Sequence, residues 1–410
     1  MVKKFLSSEF GKGAIILLIT LNLFNMLNFV FHFAMGRLLG PEGYGVLAVL
    51  MSIMYIYGVP SEAIQNIVSN YTSKFNLKKQ NKKIKYFMFR ALKKGFVTSF
   101  IIFLILTIIG IFLAKFLNIN FWLIFLTNIF IFSSFSNPIT KGVLQGRKKF
   151  TKLGVNFIIE STLKLVFSVS LVIFGWKVFG AIIGVLMGIF AGLIFSFYFN
   201  KDILKEKEKK TSFDGIYIQS IPYFISMLVI LIAFSMDIIL AKRFFSPEIA
   251  GQYSVLSMLG KIIFFGTLAI SKAMFPLTTE KFENRVDTFK IFKKSFLIVT
   301  LLSLVVVLFY YFIPKTIIGI LYGKQYIGMA PYLAYSGIAL SFLSLSNLIL
   351  LYGLSINKIK KSSYLFLFLI FEAILFLFFH SNIQEYILAF MISNIVMFIG
   401  TLFFLNKWKN

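Results

Sequence analysis

The sequence contains no cysteine, which excludes disulfide bonds, thiolate metal sites and cysteine nucleophiles. Its two histidines, His32 and His380, lie in different hydrophobic segments, and no His-x-x-x-His, Gly-x-Ser-x-Gly or phosphate-loop pattern occurs. We therefore expect no enzyme activity, no metal site and no cofactor. Because no ATP-binding domain is visible either, any transport must use an ion gradient or the gradient of the substrate itself.

Acidic residues are also few, since 15 Asp and Glu stand against 42 Lys and Arg, and the net charge is +27. The basic residues lie in short connectors between apolar runs, where membrane topology explains them better than nucleic-acid binding does. Hydrophobic residues make up 59% of the chain, which is more apolar surface than a soluble core of 410 residues could bury. The chain is therefore predicted to be an all-α polytopic membrane protein without a nucleic-acid partner.

A helix that crosses the bilayer needs roughly 20 apolar residues. With the N-terminus inside, most Lys and Arg fall on the inner side, so we expect both termini to be cytoplasmic and the first span to be retained in the cell membrane. The basic loop from Lys74 to Lys94 could also attract anionic lipid headgroups. Twelve spans are predicted, at residues 13–35, 44–68, 95–117, 121–142, 153–175, 178–199, 216–241, 251–275, 295–314, 328–353, 363–380 and 385–405.

A polar motif is repeated between the first two spans of each half. Arg37, Pro41, Glu42 and Gly45 recur with the same spacings as Arg243, Pro247, Glu248 and Gly251. Each half has six spans, an even number, so the two copies enter the membrane in the same direction and form a parallel repeat. We expect an N-lobe at residues 1–200, a basic cytoplasmic linker at 201–215 and a C-lobe at 216–410, arranged around a central cleft.

The repeated motif is expected to be a structural cap and not a substrate site. Pro41 and Pro247 suit the first turn of the following helix, and Glu42 and Glu248 are favourable at its positive end. In span six, glycines recur every fourth residue and predict a smooth packing ridge. These glycines are Gly180, Gly184, Gly188 and Gly192.

Polar side chains share a helical face on each of the first two spans. Both stripes are compatible with a hydrated cavity in the N-lobe and with hydrogen bonds between helices. Span one carries Asn22, Asn25, Asn28 and His32, and span two carries Ser52, Tyr55, Glu62, Asn66 and Ser69.

Charged residues inside the spans are few and costly to insert, so they are candidates for function. Glu160 and Lys164 are four residues apart and could neutralise each other on one helix. Glu372 matches Glu160 in the repeat but lacks a lysine four residues later. Lys261 could hold a phosphate or pair with a carboxylate, and the sequence favours neither. The full set is Glu62, Glu160, Lys164, Asp237, Lys261 and Glu372.

The segment Arg37-Leu-Leu-Gly-Pro-Glu-Gly-Tyr-Gly45, followed by Val46-Leu-Ala-Val-Leu-Met-Ser52, resembles the polysaccharide transporter family. These are the Wzx-type flippases of the multidrug/oligosaccharidyl-lipid/polysaccharide (MOP) superfamily, and the second copy of the motif lacks the Gly-Tyr-Gly ending. The resemblance implies two lobes like those of MATE transporters. It also implies movement of a polyprenyl-diphosphate-linked oligosaccharide from the cytoplasmic to the outer leaflet by alternating access, coupled to H⁺ or Na⁺.

For such a substrate we expect the lipid tail to stay among the membrane lipids while the headgroup enters a wet, partly cationic cleft. The alternatives are a multidrug or cation antiporter of the same superfamily and a membrane-embedded polysaccharide-processing enzyme. The expected substrate-binding residues are Asn22, Asn25, His32, Lys164 and Lys261. The residues expected to serve ion coupling or charge balance are Glu62, Glu160, Asp237 and Glu372.

Overall fold

The computed structural model of the protein describes residues 9–210, 221–359 and 363–409, which contain helices and no β-strand. The first part contains α1 (Glu9–Tyr57), α2 (Val59–Leu77), α3 (Asn81–Leu117), α4 (Phe121–Gly146), α5 (Phe150–Leu171), a π-helical turn (Val172–Trp176), α6 (Lys177–Phe199) and α7 (Lys201–Leu204). The second part contains α8 (Ile221–Phe244), α9 (Pro247–Glu283), α10 (Phe289–Phe312), α11 (Pro314–Leu321), α12 (Leu333–Ser355), α13 (Phe366–Phe378) and α14 (Ile383–Lys409). Two 3₁₀ segments, Lys324–Tyr332 and Ser363–Leu365, precede α12 and α13.

Nine helical segments within these ranges are long and apolar enough to cross a membrane. Two of these segments are interrupted by a glycine with non-helical backbone. Gly40 interrupts Ile19–Leu77, and Gly175 interrupts Phe150–Phe199. A further apolar helix, Phe366–Phe378, is shorter. The chain is therefore a polytopic helical membrane protein, and the number of twelve crossings stays a prediction.

The repeated motif forms the predicted helix boundaries. Gly40 interrupts α1 with φ 66° and ψ 178°, a conformation that only glycine adopts without strain, and Pro41 opens the helical segment that follows. At the second copy, Pro247 lies in the first turn of α9, and the Ser246 hydroxyl accepts a hydrogen bond from the amide of Ile249 at 3.4 Å. Both prolines therefore lie at the start of a helical segment, as the motif predicts, and the second copy also has a capping hydrogen bond.

The basic segment expected to be a loop is largely helical. Helix α2 continues to Leu77 and α3 already begins at Asn81, so only a short turn separates them. Lysine is a good helix former, and a helix continues beyond its apolar residues as long as its backbone hydrogen bonds do. Hydropathy reports where the apolar run ends, and this is why the sequence placed the start of span three at residue 95.

The described residues form two compact units, which are residues 9–39 with 53–210, and residues 40–52 with 221–409. The first unit includes the start of the predicted linker. Lys85 donates hydrogen bonds to the main-chain oxygens of Leu204 and Glu206 at 2.7 and 2.8 Å. Linker residues 211–215 and the N-terminal residues before Glu9 lie outside the described ranges.

Helix α7 of the linker is also held by charge. Asp202 accepts hydrogen bonds from Arg147 and, at 2.8 Å, from Lys149. The hydrogen bond from Arg147, helped by Lys149, holds the pKa of the Asp202 carboxyl well below its usual range. Because Asp202 is half-exposed, water weakens this pair, so its contribution to stability is small.

In the first unit, the glycine ridge of α6 packs against α5. A Cβ at Gly188 would lie 2.5 Å from the backbone nitrogen of Lys164, and one at Gly192 would lie 2.6 Å from the carboxylate of Glu160. The packing role predicted for the ridge is confirmed. The ridge also lets α6 approach the face of α5 that carries the charged residues.

In the second unit, the two copies of the repeated motif contact each other. A Cβ at Gly45 would lie 2.8 Å from the Cα of Gly251, and a Cβ at Gly251 would overlap the carbonyl oxygen of Pro41. Next to this contact the buried Tyr44 lies 3.2 Å, hydroxyl to hydroxyl, from Tyr322. The sequence duplication does not predict that residues 40–52 belong to the second unit.

Candidate functional site

The first unit contains a buried cluster of three charges, Lys141, Glu160 and Lys164, here called the first triad. The three residues are 5%, 9% and 6% exposed. The Lys141 ammonium on α4 lies 2.5 Å from Oε2 of Glu160 on α5. With two lysines and one glutamate, the first triad has a formal charge of +1.

Lys164 contacts neutral groups. Its Nζ donates a hydrogen bond to Oδ1 of Asn28 on α1 at 2.8 Å and lies 4.1 Å from the centre of the Phe31 ring. Glu160 is within electrostatic range of Lys164, but its ion pair is formed with Lys141. The spacing of Glu160 and Lys164 allows them to pair on one helix. In the structure, Glu160 pairs with Lys141 instead.

Lys141 is a charged residue of this site that the sequence does not single out. It lies at the end of predicted span four, and α4 continues to Gly146 and buries it. No spacing in the sequence relates Lys141 to Glu160, because the two residues lie on different helices.

The second unit contains a buried cluster of opposite charge, Asp237, Lys261 and Glu372, here called the second triad. Asp237 on α8 and Lys261 on α9 have fully buried side chains, and the Lys261 Nζ lies 3.9 Å from the Asp237 Oδ1. Glu372 on α13 is buried within electrostatic range of Asp237. With two carboxylates and one lysine, the second triad has a formal charge of −1.

Aromatic residues surround the second triad. Tyr253 donates a hydrogen bond to the Asp237 carboxylate at 3.1 Å, and Tyr386 donates one to the Asp237 main-chain oxygen at 2.6 Å. Lys261 lies 4.5 Å from the centre of the Phe234 ring. Oε1 of Glu372 has no hydrogen-bond partner among the described residues. A buried carboxylate oxygen without a partner is suited to receive a proton or a cation.

The other predicted residues lie outside both triads. His32 is buried with its Nε2 3.5 Å from the Tyr55 hydroxyl, which joins the two polar stripes by a hydrogen bond between the two segments of α1 that Gly40 separates. Asn22 is exposed and Asn25 is half-buried on α1. Glu62 is half-buried in the first turn of α2, where the helix dipole favours a carboxylate.

Other polar residues of α2, outside the predicted stripe, form hydrogen bonds to α4. The Ser61 hydroxyl donates to the main-chain oxygen of Ser134 at 2.8 Å, and Gln65 donates to Gln145 at 2.7 Å. The described ranges contain no group of three His, Asp or Glu side chains placed to hold a metal ion.

The chain matches one family profile and is similar in fold to solved membrane transporters. The sequence profile of the family described as "Polysaccharide biosynthesis protein" matches residues 10–282. The fold is similar to that of a multidrug resistance MATE family transporter of the MOP superfamily in its inward-facing conformation, with a TM-score of 0.72, 14% identity and coverage of 94% of this chain and 95% of that chain. It is also similar to the lipid II flippase MurJ in its inward closed conformation, with a TM-score of 0.69, 15% identity and coverage of 97% and 88%. Among curated proteins, no sequence matches.

Proposed function

Because the chain belongs to the polysaccharide biosynthesis protein family, we propose that it is a flippase for a polyprenyl-diphosphate-linked oligosaccharide. The chain is a multi-pass membrane protein with the fold of MOP superfamily transporters. In this proposal it moves the headgroup from the cytoplasmic to the outer leaflet of the cell membrane by alternating access. Both termini lie in the cytoplasm, as the distribution of Lys and Arg indicates.

The observation that carries the proposal is the formal charge of the first triad. A buried charge without a counter-charge is costly in a membrane protein, and an anionic ligand group removes that cost. Lys164 contacts only an amide oxygen and a ring in its described polar and cation-π contacts, so its charge is available to a diphosphate. We assign the diphosphate contact to Lys164, and the sugar contacts to Asn22, Asn25 and His32 on the neighbouring α1.

We assign the second triad to ion coupling. Lys261 was expected either to bind phosphate or to pair with a carboxylate, and its position 3.9 Å from Asp237 supports the ion pair. Charge balance by Lys261 leaves one carboxylate of the pair Asp237 and Glu372 to take up H⁺ or Na⁺. Glu160 balances Lys141, and Glu62 stays a candidate for coupling.

Lys164→Met tests the diphosphate contact. We expect the flipping rate of a fluorescent lipid-linked sugar in proteoliposomes to fall about 10- to 100-fold, the range expected for the loss of one charge-assisted contact. Lys152→Met is the matched control, because Lys152 lies on the same helix and is exposed. Flipping at the wild-type rate in folded Lys164→Met protein would remove Lys164 from the proposal.

Glu372→Gln tests the coupling role. When a proton or sodium gradient is imposed on proteoliposomes, we expect wild-type flipping to accelerate. The variant should flip at the same rate with and without the gradient, because an amide does not take up a proton and has no negative charge to bind Na⁺. Glu283→Gln, at the exposed end of α9, is the control. A Glu372→Gln variant that accelerates like the wild type would contradict the assignment.

A multidrug or cation antiporter is the second candidate. It is favoured by the second triad, which combines a formal negative charge with aromatic neighbours, the chemistry that attracts a lipophilic cation. The two functions are distinguished by thermal stabilisation of the purified protein. Stabilisation by a prenyl diphosphate supports the flippase, and stabilisation by tetraphenylphosphonium alone supports the antiporter.

A further inference from the structure

The position of Glu160 differs from what its own helix favours. On an isolated helix, a glutamate four residues before a lysine forms an ion pair with it. This order stabilises the helix more than a lysine four residues before a glutamate does. Glu160 and Lys164 have this spacing on α5, yet Glu160 forms its ion pair with Lys141 of α4. The neighbouring helices therefore set the direction of the carboxylate.

Four contacts hold the Glu160 carboxylate in this direction. The Lys141 ammonium lies 2.5 Å from Glu160 Oε2 and 4.7 Å from the centre of the Phe157 ring, so the lysine is itself fixed between two groups of α5. The same oxygen, Oε2, lies only 2.6 Å from the place where a side chain at Gly192 would begin. Asn156 donates a hydrogen bond to the Gly192 main-chain oxygen at 2.7 Å and holds α6 in this position.

The consequence is a separation of charges within the first triad. Lys141 and Glu160 cancel each other, and the remaining charge resides on Lys164. The Asn28 oxygen that accepts from Lys164 is neutral, so it satisfies one N–H group without cancelling the charge.

We propose that Lys141 is a positioning residue that draws Glu160 away from Lys164 and so keeps the Lys164 ammonium available for an anionic substrate group. The proposal rests on the proposed function, because it takes Lys164 as the group that contacts the diphosphate. Without Lys141, Glu160 turns to Lys164, its neighbour one helical turn away, and competes with the substrate.

Binding of farnesyl diphosphate to the purified full-length protein tests this role, with farnesol as the uncharged control ligand. We expect Lys141→Met to weaken binding of farnesyl diphosphate about tenfold and to leave farnesol binding unchanged. Lys141→Met combined with Glu160→Gln should restore the affinity to within about threefold of the wild type, since the competing charge is gone. Rescue by a second neutralisation is a result that loss of packing alone would not give.

Two outcomes would overturn the proposal: wild-type affinity in Lys141→Met, or a double variant that binds as weakly as Lys141→Met. If Lys141→Met does not fold, the affinity of Glu160→Gln is compared with that of the double variant. Equal affinities support the positioning role. A double variant that binds more weakly than Glu160→Gln means that Lys141 contacts the ligand directly. Lys164→Met separates this proposal from the proposed function. Wild-type affinity in Lys164→Met rejects the diphosphate site itself, whereas weak binding there with normal binding in Lys141→Met rejects only the positioning role.

Discussion

Gly251→Ala is expected to lower the free energy of unfolding by about 3 kcal/mol, the upper end of the cost of inserting one methyl group into a packed site. The added Cβ would overlap the carbonyl oxygen of Pro41, a backbone atom that cannot move aside without moving its helix. Gly45 lies against Gly251 at the same place, so both helices must separate. The measurement is unfolding in mixed micelles with increasing sodium dodecyl sulfate, followed by tryptophan fluorescence.

Gly266→Ala on the same helix is the matched control. A Cβ at Gly266 meets no atom within 4 Å, so we expect unchanged stability or a gain of up to about 1 kcal/mol from the better helix propensity of alanine. Equal stabilities of Gly251→Ala and Gly266→Ala would show that the close contact between the two copies of the motif does not exist in the folded protein.

Lys261→Met is expected to destabilise the second unit by about 3–5 kcal/mol, the usual cost of removing one partner from a buried ion pair. Lys261 and Asp237 have fully buried side chains, and Glu372 lies within electrostatic range of Asp237. Methionine has a similar shape to the lysine stem and leaves no large cavity. The loss of stability therefore measures the effect of removing the charge. The same unfolding measurement applies.

A second substitution tests the electrostatic cause. Asp237→Asn in the Lys261→Met background removes one of the two carboxylates left behind, and we expect it to recover at least half of the lost stability. Lys294→Met, on an exposed position of α10, should have no effect. If Lys261→Met is as stable as the wild type, the ion pair contributes nothing and its role in charge balance is lost.

The sequence predicted those parts of the fold that depend on transfer into lipid or on local backbone preference. The apolar runs predicted the helices, and Gly40 with Pro41 predicted a boundary because their backbone preferences are local. The helical extension of the basic segment could not be predicted in the same way. Its lysines and arginines lower the mean hydropathy of the segment, although Ile84, Phe87 and Met88 are buried on one face of the helix. Whether a helix continues through such a segment depends on backbone hydrogen bonds that hydropathy does not report.

For the candidate site, the sequence identified five of the six charged residues of the two triads and missed Lys141, and it did not show which of them pair. Glu160 and Lys164 have ideal spacing on one helix, and the structure still pairs Glu160 with Lys141. Pairing between helices depends on the rotation of each helix about its axis and on how closely the glycine ridge lets α6 approach α5. Neither quantity can be read from the spacing within one helix.

The assignment of residues 40–52 to the second unit has a consequence for any attempt to divide the protein. The duplicated sequence suggests two halves that a cut in the linker would separate, yet the chain enters the second unit at Gly40 and leaves it after Ser52. A fragment that begins at residue 221 therefore lacks Tyr44, Leu47 and Leu50, three residues that are fully buried in the structure. The duplicated halves and the compact units have different limits, so one half expressed alone would lack buried residues of its compact unit.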